Sequence, residues 1–242
     1  MEEGGGGARA RAKRALIPSH PHFFRLHYPS FILFSDQLVD ICLPELELVR
    51  CAQVVTIAAE LAQAWKWALA DGRQRRRLTA ETRISLAQAA RLSATDYLQA
   101  LRIRTRLMTH VGRLFGVGAA EGGGGGNGAR GGGVCDLIVA PTCGVVAPKA
   151  PPPALRHGAT DLRQAGELMR FTIPVNMAGL PAMSVPVGHG EGGLPVGLQL
   201  IGRPWDEAGL LGVAAALEGA ATGRLRPPGL RWDLLAPRAA VQ

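Results

Sequence analysis

Residues 182–202 read AMSVPVG, HGEGGL, PVGLQLIG: two short apolar runs on either side of a glycine-rich turn. Runs of this length bounded by glycine and proline are strands, and the spacing between them predicts a β-hairpin. Gly188, Gly190, Gly192 and Gly193 supply the backbone freedom of the turn. Upstream, VCDLIVAPT (residues 134–142) is a continuous apolar run, as expected of a strand buried on both faces. Downstream, DEAGLLGVAAALEGA (residues 206–220) predicts an amphipathic helix started by Asp206 and laid over the sheet. Strands with interspersed helices predict an α/β layered sandwich. With 32 Gly, 17 Pro and 5% aromatic residues, a coiled coil or helical bundle is excluded.

The earlier half reads as helices. Pro44 stands where a first helical residue tolerates a missing N–H. From there an apolar repeat at Leu48, Val55, Ala59, Ala62, Trp65 and Leu69 predicts a helix ending near Asp71 and Gly72. Trp65 and Trp67 read as packing residues. Thr79 is the expected N-cap of the next helix, and Ser93 with Asp96 starts another. On that last helix Tyr97, Leu101, Met108 and Val111 are expected to share an apolar face, and Arg102, Arg106 and Arg113 a basic one. Between Phe171 and Pro181 the short run ahead of the hairpin carries Thr172 as a capping candidate before Pro174. ATDLRQAGELMRF (residues 159–171) predicts a short helix, and the proline-rich residues 147–158 a surface loop.

Residues 1–38 read as an irregular leader, residues 39–221 as one partial domain, and residues 222–242 as a proline-rich tail. Residues 116–133 hold 11 glycines in 18 positions and form a flexible insert. They lack the Gly-Lys-Ser/Thr of a phosphate loop. The net charge of +8 is concentrated: residues 73–113 carry 10 arginines against two acids. That stretch, from Arg73 to Arg113, reads as a solvated basic face or as a contact with an anionic membrane surface or an acidic partner. No nucleic-acid partner is expected, because aromatic residues are not interleaved with the arginines. Cys42, Cys51, Cys135 and Cys143 have no zinc-ligand spacing and read as free thiols of a reducing compartment. An intracellular location is expected, cytoplasmic or peripheral on a membrane. No run reaches the roughly 18 apolar residues a membrane span needs.

The segment FTIPVNMAGLPAMSVPVGHGEGGLPVGLQLIGRPW (residues 171–205) resembles the C-terminal signature of the amidase signature family. The pieces that carry the resemblance are Phe171 and Thr172, Pro174, Asn176, the Gly179-Leu180-Pro181-Ala182 run, Ser184, Pro186 and Gly188. They continue through residues 193–199, GLPVGLQ. Residues 136–142, DLIVAPT, resemble the strand that precedes this signature, and residues 207–217 the helix that closes it. Upstream, residues 43–46 (LPEL), Thr82 with Arg83, residues 93–97 (SATDY) and residues 102–106 resemble plant fatty acid amide hydrolases, as do residues 161–162 and 168–171. The resemblance spans about Val39 to Ala221.

What it implies is the C-terminal portion of an α/β/α sandwich around a mixed sheet, incomplete in this chain. It also implies hydrolysis of the amide C–N bond of acyl amides. The family's mechanism uses a Lys, a Ser in a cis peptide and a Ser nucleophile with a backbone oxyanion hole. This chain has no adjacent serines, and Lys13, Lys66 and Lys149 do not stand in the family's lysine context. No catalytic residue is therefore carried over, and the chain is expected to be inactive. The alternative is a non-catalytic paralogue that binds a ligand or partner. Phe171 and Met177 are expected to line an acyl pocket, with Thr172 and Asn176 on its polar wall, or else to serve helix packing. No metal or cofactor is expected. Ser184 reads as a satisfied strand serine, Cys143 as a loop thiol without a visible base, and His110, His157 and His189 as isolated. An incomplete sheet exposes a strand edge, so a homodimer is expected.

Overall fold

A computed structural model describes residues 14–16, 38–117, 133–154 and 161–220. The elements in chain order are β1 (Arg14–Leu16), β2 (Leu38–Asp40), α1 (Leu46–Ala64), α2 (Lys66–Ala70), α3 (Gly72–Arg75), α4 (Ala80–Ala89) and α5 (Ala94–Phe115). They continue with β3 (Leu137–Pro141), α6 (Leu162–Leu168), α7 (Ile173–Ala178), β4 (Ala182–His189), β5 (Pro195–Ile201) and α8 (Glu207–Ala220).

The hairpin is present. Strands β4 and β5 pair antiparallel, with Ala182 opposite Ile201 and Ser184 opposite Gln199. A bulge between Pro186 and Gly188 shifts the register. Proline cannot donate to a ladder, so it sits on an edge strand beside the irregularity. β5 then pairs antiparallel with β3, and β3 pairs parallel with β1, which pairs parallel with β2. The order β2-β1-β3-β5-β4 makes a mixed sheet, as expected.

Every residue of β3 is buried, and so is the C-terminal half of β5. Side chains alternate faces along a strand. Ile138, Ala140 and Ile201 join one apolar cluster with Val49 and Ala52 of α1, Leu107 and Phe115 of α5, and Val175 of α7. Leu137, Val139, Val185, Leu198 and Leu200 join a second cluster with Leu210, Ala214 and Leu217 of α8. Helices thus cover both faces, and the period-two alternation sorts the core into two halves.

The structure departs from the sequence expectations in the helical half and in the leader. The buried stripe of α1 is Val49, Ala52, Gln53 and Thr56, not the repeat through Leu48 and Trp65. The two stripes lie side by side on the same helix, and both follow helical spacing. Trp65 and Trp67 stack on each other in the open rather than packing inward. On α5 the buried residues are Ala100, Leu107, Val111 and Phe115, while Met108 is exposed. Arg14–Leu16 falls within the stretch read as a leader, yet it forms the strand between β2 and β3. Three residues carry no periodicity, and a parallel partner is supplied from far along the chain. The rest of the leader, the insert at 118–132, His157 and the tail from 222 lie outside the described residues.

The starts at Thr79 and Ser93 follow the sequence, whereas Pro44 lies ahead of α1, whose N-cap is Glu45, and the single helix expected to run to Asp71 breaks at Trp65. Thr79 Oγ1 accepts from the Thr82 N–H at 3.2 Å. Ser93 Oγ accepts from the Asp96 N–H at 3.1 Å, and the Asp96 carboxylate accepts from the Ser93 N–H at 2.9 Å. This reciprocal capping box holds Asp96 below its ordinary carboxylate range, chiefly through the Ser93 hydroxyl.

Candidate functional site

Beyond the last residue of β3 the sheet face on the α1, α5 and α7 side opens into a cavity of about 570 Å³. Its floor is Thr142, Ser184, Pro186 and Gly197. These share one face because Ala140, Gln199 and Ser184 form a row across the strands, and Thr142, Gly197 and Pro186 continue it two residues on. The wall is the segment after β3, where Cys143, Val145 and Val146 stand, with Leu168 at the end of α6. Val196 and Gly190 close the side nearest the hairpin turn.

Two hydrogen bonds build the wall. The Thr142 N–H donates to the Gly197 carbonyl at 3.0 Å, extending the ladder past β3. The Gly144 N–H donates to the Glu167 carbonyl at 3.1 Å, which ties the wall to α6. The Thr142 and Ser184 hydroxyls lie 2.6 Å apart, so one donates to the other. One hydroxyl hydrogen of the pair remains to donate to a guest, and lone pairs remain to accept. Gly197 makes this possible: a Cβ there would lie 2.6 Å from Ser184 Oγ and 2.8 Å from Thr142 Oγ1. A glycine inside a strand marks such a close approach.

The rest of the lining is mostly Val, Ala, Leu and Pro, and among the described residues no histidine, carboxylate or lysine is part of it. Such a cavity suits an apolar guest that carries one hydrogen-bonding group. Among the described residues that line the cavity none is a base that could make either oxygen a nucleophile. Among the described residues no group of three or more His, Cys, Asp or Glu is disposed to hold a metal ion.

The residues picked from the sequence are dispersed. Phe171 and Met177 are 5% and 2% exposed and belong to the core between α7, α1 and α5. Neither lines the cavity. Thr172 Oγ1 donates back to the Met169 carbonyl at 3.2 Å and does not cap α7. Asn176 is exposed on α7. The Gln199 amide donates to the Phe171 carbonyl at 3.0 Å, and Arg104 Nε donates to the Met177 carbonyl at 3.0 Å. Cys143 lies in the wall, Ser184 in the floor, and His189 is the residue before the lining Gly190. His110 is remote on α5, with Nε2 3.2 Å from the Cys42 carbonyl oxygen. Thr142, Ser184 and Gly197 were visible in the motif, but nothing in the sequence marked them as one surface. The available signal was Gly197, a glycine in an otherwise well-formed strand.

All four cysteines are free, and only Cys135 is buried. Burial raises its thiol to about 11, Asp136 adds to this, and Arg203 opposes it. Arg203 bridges Asp136 beneath the sheet end.

A family model described as Amidase matches residues 29–211. The chain is 40% identical over 199 residues to a fatty acid amide hydrolase of Medicago truncatula, covering 82% of this chain and 30% of that protein. It is 38% identical over 199 residues to one of Arabidopsis thaliana, with the same coverage. It is 39% identical over 202 residues to one of Oryza sativa subsp. japonica, covering 84% of this chain and 30% of that protein. The chain therefore spans about 30% of the length of these plant relatives. Among solved structures, a bacterial aryl acylamidase of the amidase signature enzymes superposes with a TM-score of 0.64 at 18% identity, over 87% of this chain and 44% of that one. An allophanate hydrolase of Kluyveromyces lactis gives 0.67 at 23%, over 87% and 32%. The fold is part of the amidase signature fold.

Proposed function

The chain belongs to the amidase family, and on that footing we propose that its cavity holds the acyl part of an acyl amide. The observation that supports this is the lining itself: apolar walls with a single hydroxyl pair, Thr142 and Ser184, at the floor. An acyl chain gains by leaving water for such walls, at roughly 25 cal/mol per Å² buried. The amide carbonyl accepts one hydrogen bond from the pair. The ligand class is long-chain N-acylethanolamines and related amides, in keeping with the names of the plant relatives.

In this reading the residues present bind and do not cleave. Cleavage adds water across the C–N bond and releases a carboxylic acid and an amine, which requires an activated nucleophile and a proton donor for the amine. The chain contains no adjacent serine pair, and neither Lys66 nor Lys149 lines the cavity.

Titration calorimetry with a long-chain acyl ethanolamide is expected to give saturable binding, and acetamide none. Gly197→Ala is expected to weaken binding at least about tenfold, because its Cβ displaces both hydroxyls. Val146→Ser leaves the strands unaltered and is expected to weaken binding as well, by making the wall polar. Equal binding by both variants and the parent overturns the cavity assignment. Release of free ethanolamine by the purified chain overturns the non-cleaving reading.

A further inference from the structure

We propose that the outer face of α8 is a docking surface for the chain's own C-terminal segment, residues 222–242. Of the 14 residues of α8, Glu207 and Glu218 are the only polar ones. Leu210, Ala214 and Leu217 are buried against the sheet. The other side carries Ala208, Leu211, Gly212 and Ala215, all exposed, with Leu211 at 57%. A Cβ placed on Gly212 would meet nothing within 4 Å. A helix that is apolar all round is one that is covered all round, and here one side is bare.

Trp205 stands at the start of α8, directly before Asp206, whose carboxylate accepts from the Gly209 N–H at 3.2 Å. Its backbone lies in the left-handed region at φ 65°, and the residue is 90% exposed. A bulky residue keeps that conformation only where its surroundings hold it. The turn thus sets an indole in the open at the head of an apolar helix. Glu207, Leu211, Ala215 and Glu218 recur at four, four and three, so the exposed leucine lies between two carboxylates on one side of the helix. Among the described residues neither glutamate forms an ion pair. Unpaired carboxylates occur elsewhere, Glu81 among them; what marks these two is the bare apolar surface between them.

The occupant that fits is an apolar segment with cations at both ends. Residues 222–242, which lie outside the described residues, read TGRLRPPGLRWDLLAPRAAVQ and follow α8 almost at once. Leu230, Trp232 and Leu234 alternate with Arg231 and Asp233, the pattern that gives an extended run one apolar face. Arg224 and Arg226 precede this run and Arg238 follows it. Pro227, Pro228 and Gly229 are residues suited to reversing the chain. The reach is sufficient, because α8 is roughly 21 Å long and residues 230–242 can span about 40 Å when extended. An antiparallel return brings Arg226 to the Glu218 end and Arg238 to the Glu207 end. A second copy fits less well: two α8 faces packed antiparallel set glutamate against glutamate.

The test is limited chymotrypsin digestion of the full chain, reading cleavage after Trp232 by mass spectrometry. Docking hides this bond, so the cleavage rate reports the undocked fraction. Leu211→Asp is expected to raise the rate at least about tenfold, since it places a charge in the apolar contact. Glu207→Arg with Glu218→Arg is expected to raise it roughly threefold, and adding Arg226→Glu with Arg238→Glu to restore protection. Leu211, Glu207 and Glu218 are exposed, and unchanged circular dichroism confirms folding. Equal cleavage in the parent and in Leu211→Asp, or no recovery on charge exchange, overturns the proposal. So does protection that disappears on dilution, which would seat a second copy on α8 instead.

Discussion

Gly197 and Cys135 show how far one residue's surroundings govern its role. At Gly197 two hydroxyls occupy the space where any other residue places its first carbon, so the cavity floor depends on an absent side chain. Cys135 has a side chain whose chemistry is suppressed. Burial keeps its thiol protonated to about pH 11, and Asp136 reinforces this. Thiolate is the reactive form, so iodoacetamide at mildly alkaline pH is expected to modify Cys42, Cys51 and Cys143 and to spare Cys135. Peptide mass spectrometry reads this directly, and early labelling of Cys135 contradicts it. The same shift links stability to pH. A thiol raised in the folded state favours folding equally at any pH below about 9. That contribution is lost as pH rises from about 9 towards 11, because only the unfolded chain ionises.

Among the helices, the caps at Thr79 and Ser93 were legible in the sequence, whereas the Thr172 cap, the start at Pro44 and the buried faces were not. Thr79, Ser93 and Asp96 act on donors three residues away, so local sequence is enough to place them. Removing the Ser93 hydroxyl is expected to destabilise α5 by roughly 1 kcal/mol, read by urea denaturation. It also lets Asp96 rise towards its ordinary carboxylate range, with the Ser93 N–H still holding it lower. The parent loses this cap as pH falls through the depressed range of Asp96, and Ser93→Ala is expected to show less of that acid dependence. An unchanged midpoint refutes the cap's contribution. By contrast, α1 has two apolar stripes at helical spacing, and which one is buried depends on where α5 and α7 lie. The same ambiguity misplaced Met108 on α5. For the same reason Phe171 and Met177 read equally as cavity lining or as core, and the structure assigns them to the core.

In the molecule as a whole, the sheet has two cores and an unpaired outer strand, β4, among the described residues. Only part of that edge offers a regular ladder, because Pro186 and the adjacent bulge interrupt it. Residues 182–185 remain open to pairing. Sedimentation velocity is expected to show concentration-dependent dimers that Ala182→Lys disperses, and a monomer at every concentration refutes this. No described helix is long and apolar enough to cross a membrane. The hairpin, the buried strand β3, the closing helix α8, the helix caps and the amidase resemblance could all be read from the amino acids alone, because each rests on residues near one another in the chain. Three outcomes needed the assembled fold: that Arg14–Leu16 joins the sheet, that Thr142, Ser184 and Gly197 form one floor, and that two tryptophans face outward. They depend on strand register and on helix rotation. Contacts distant in sequence set both, and no short window of residues contains them.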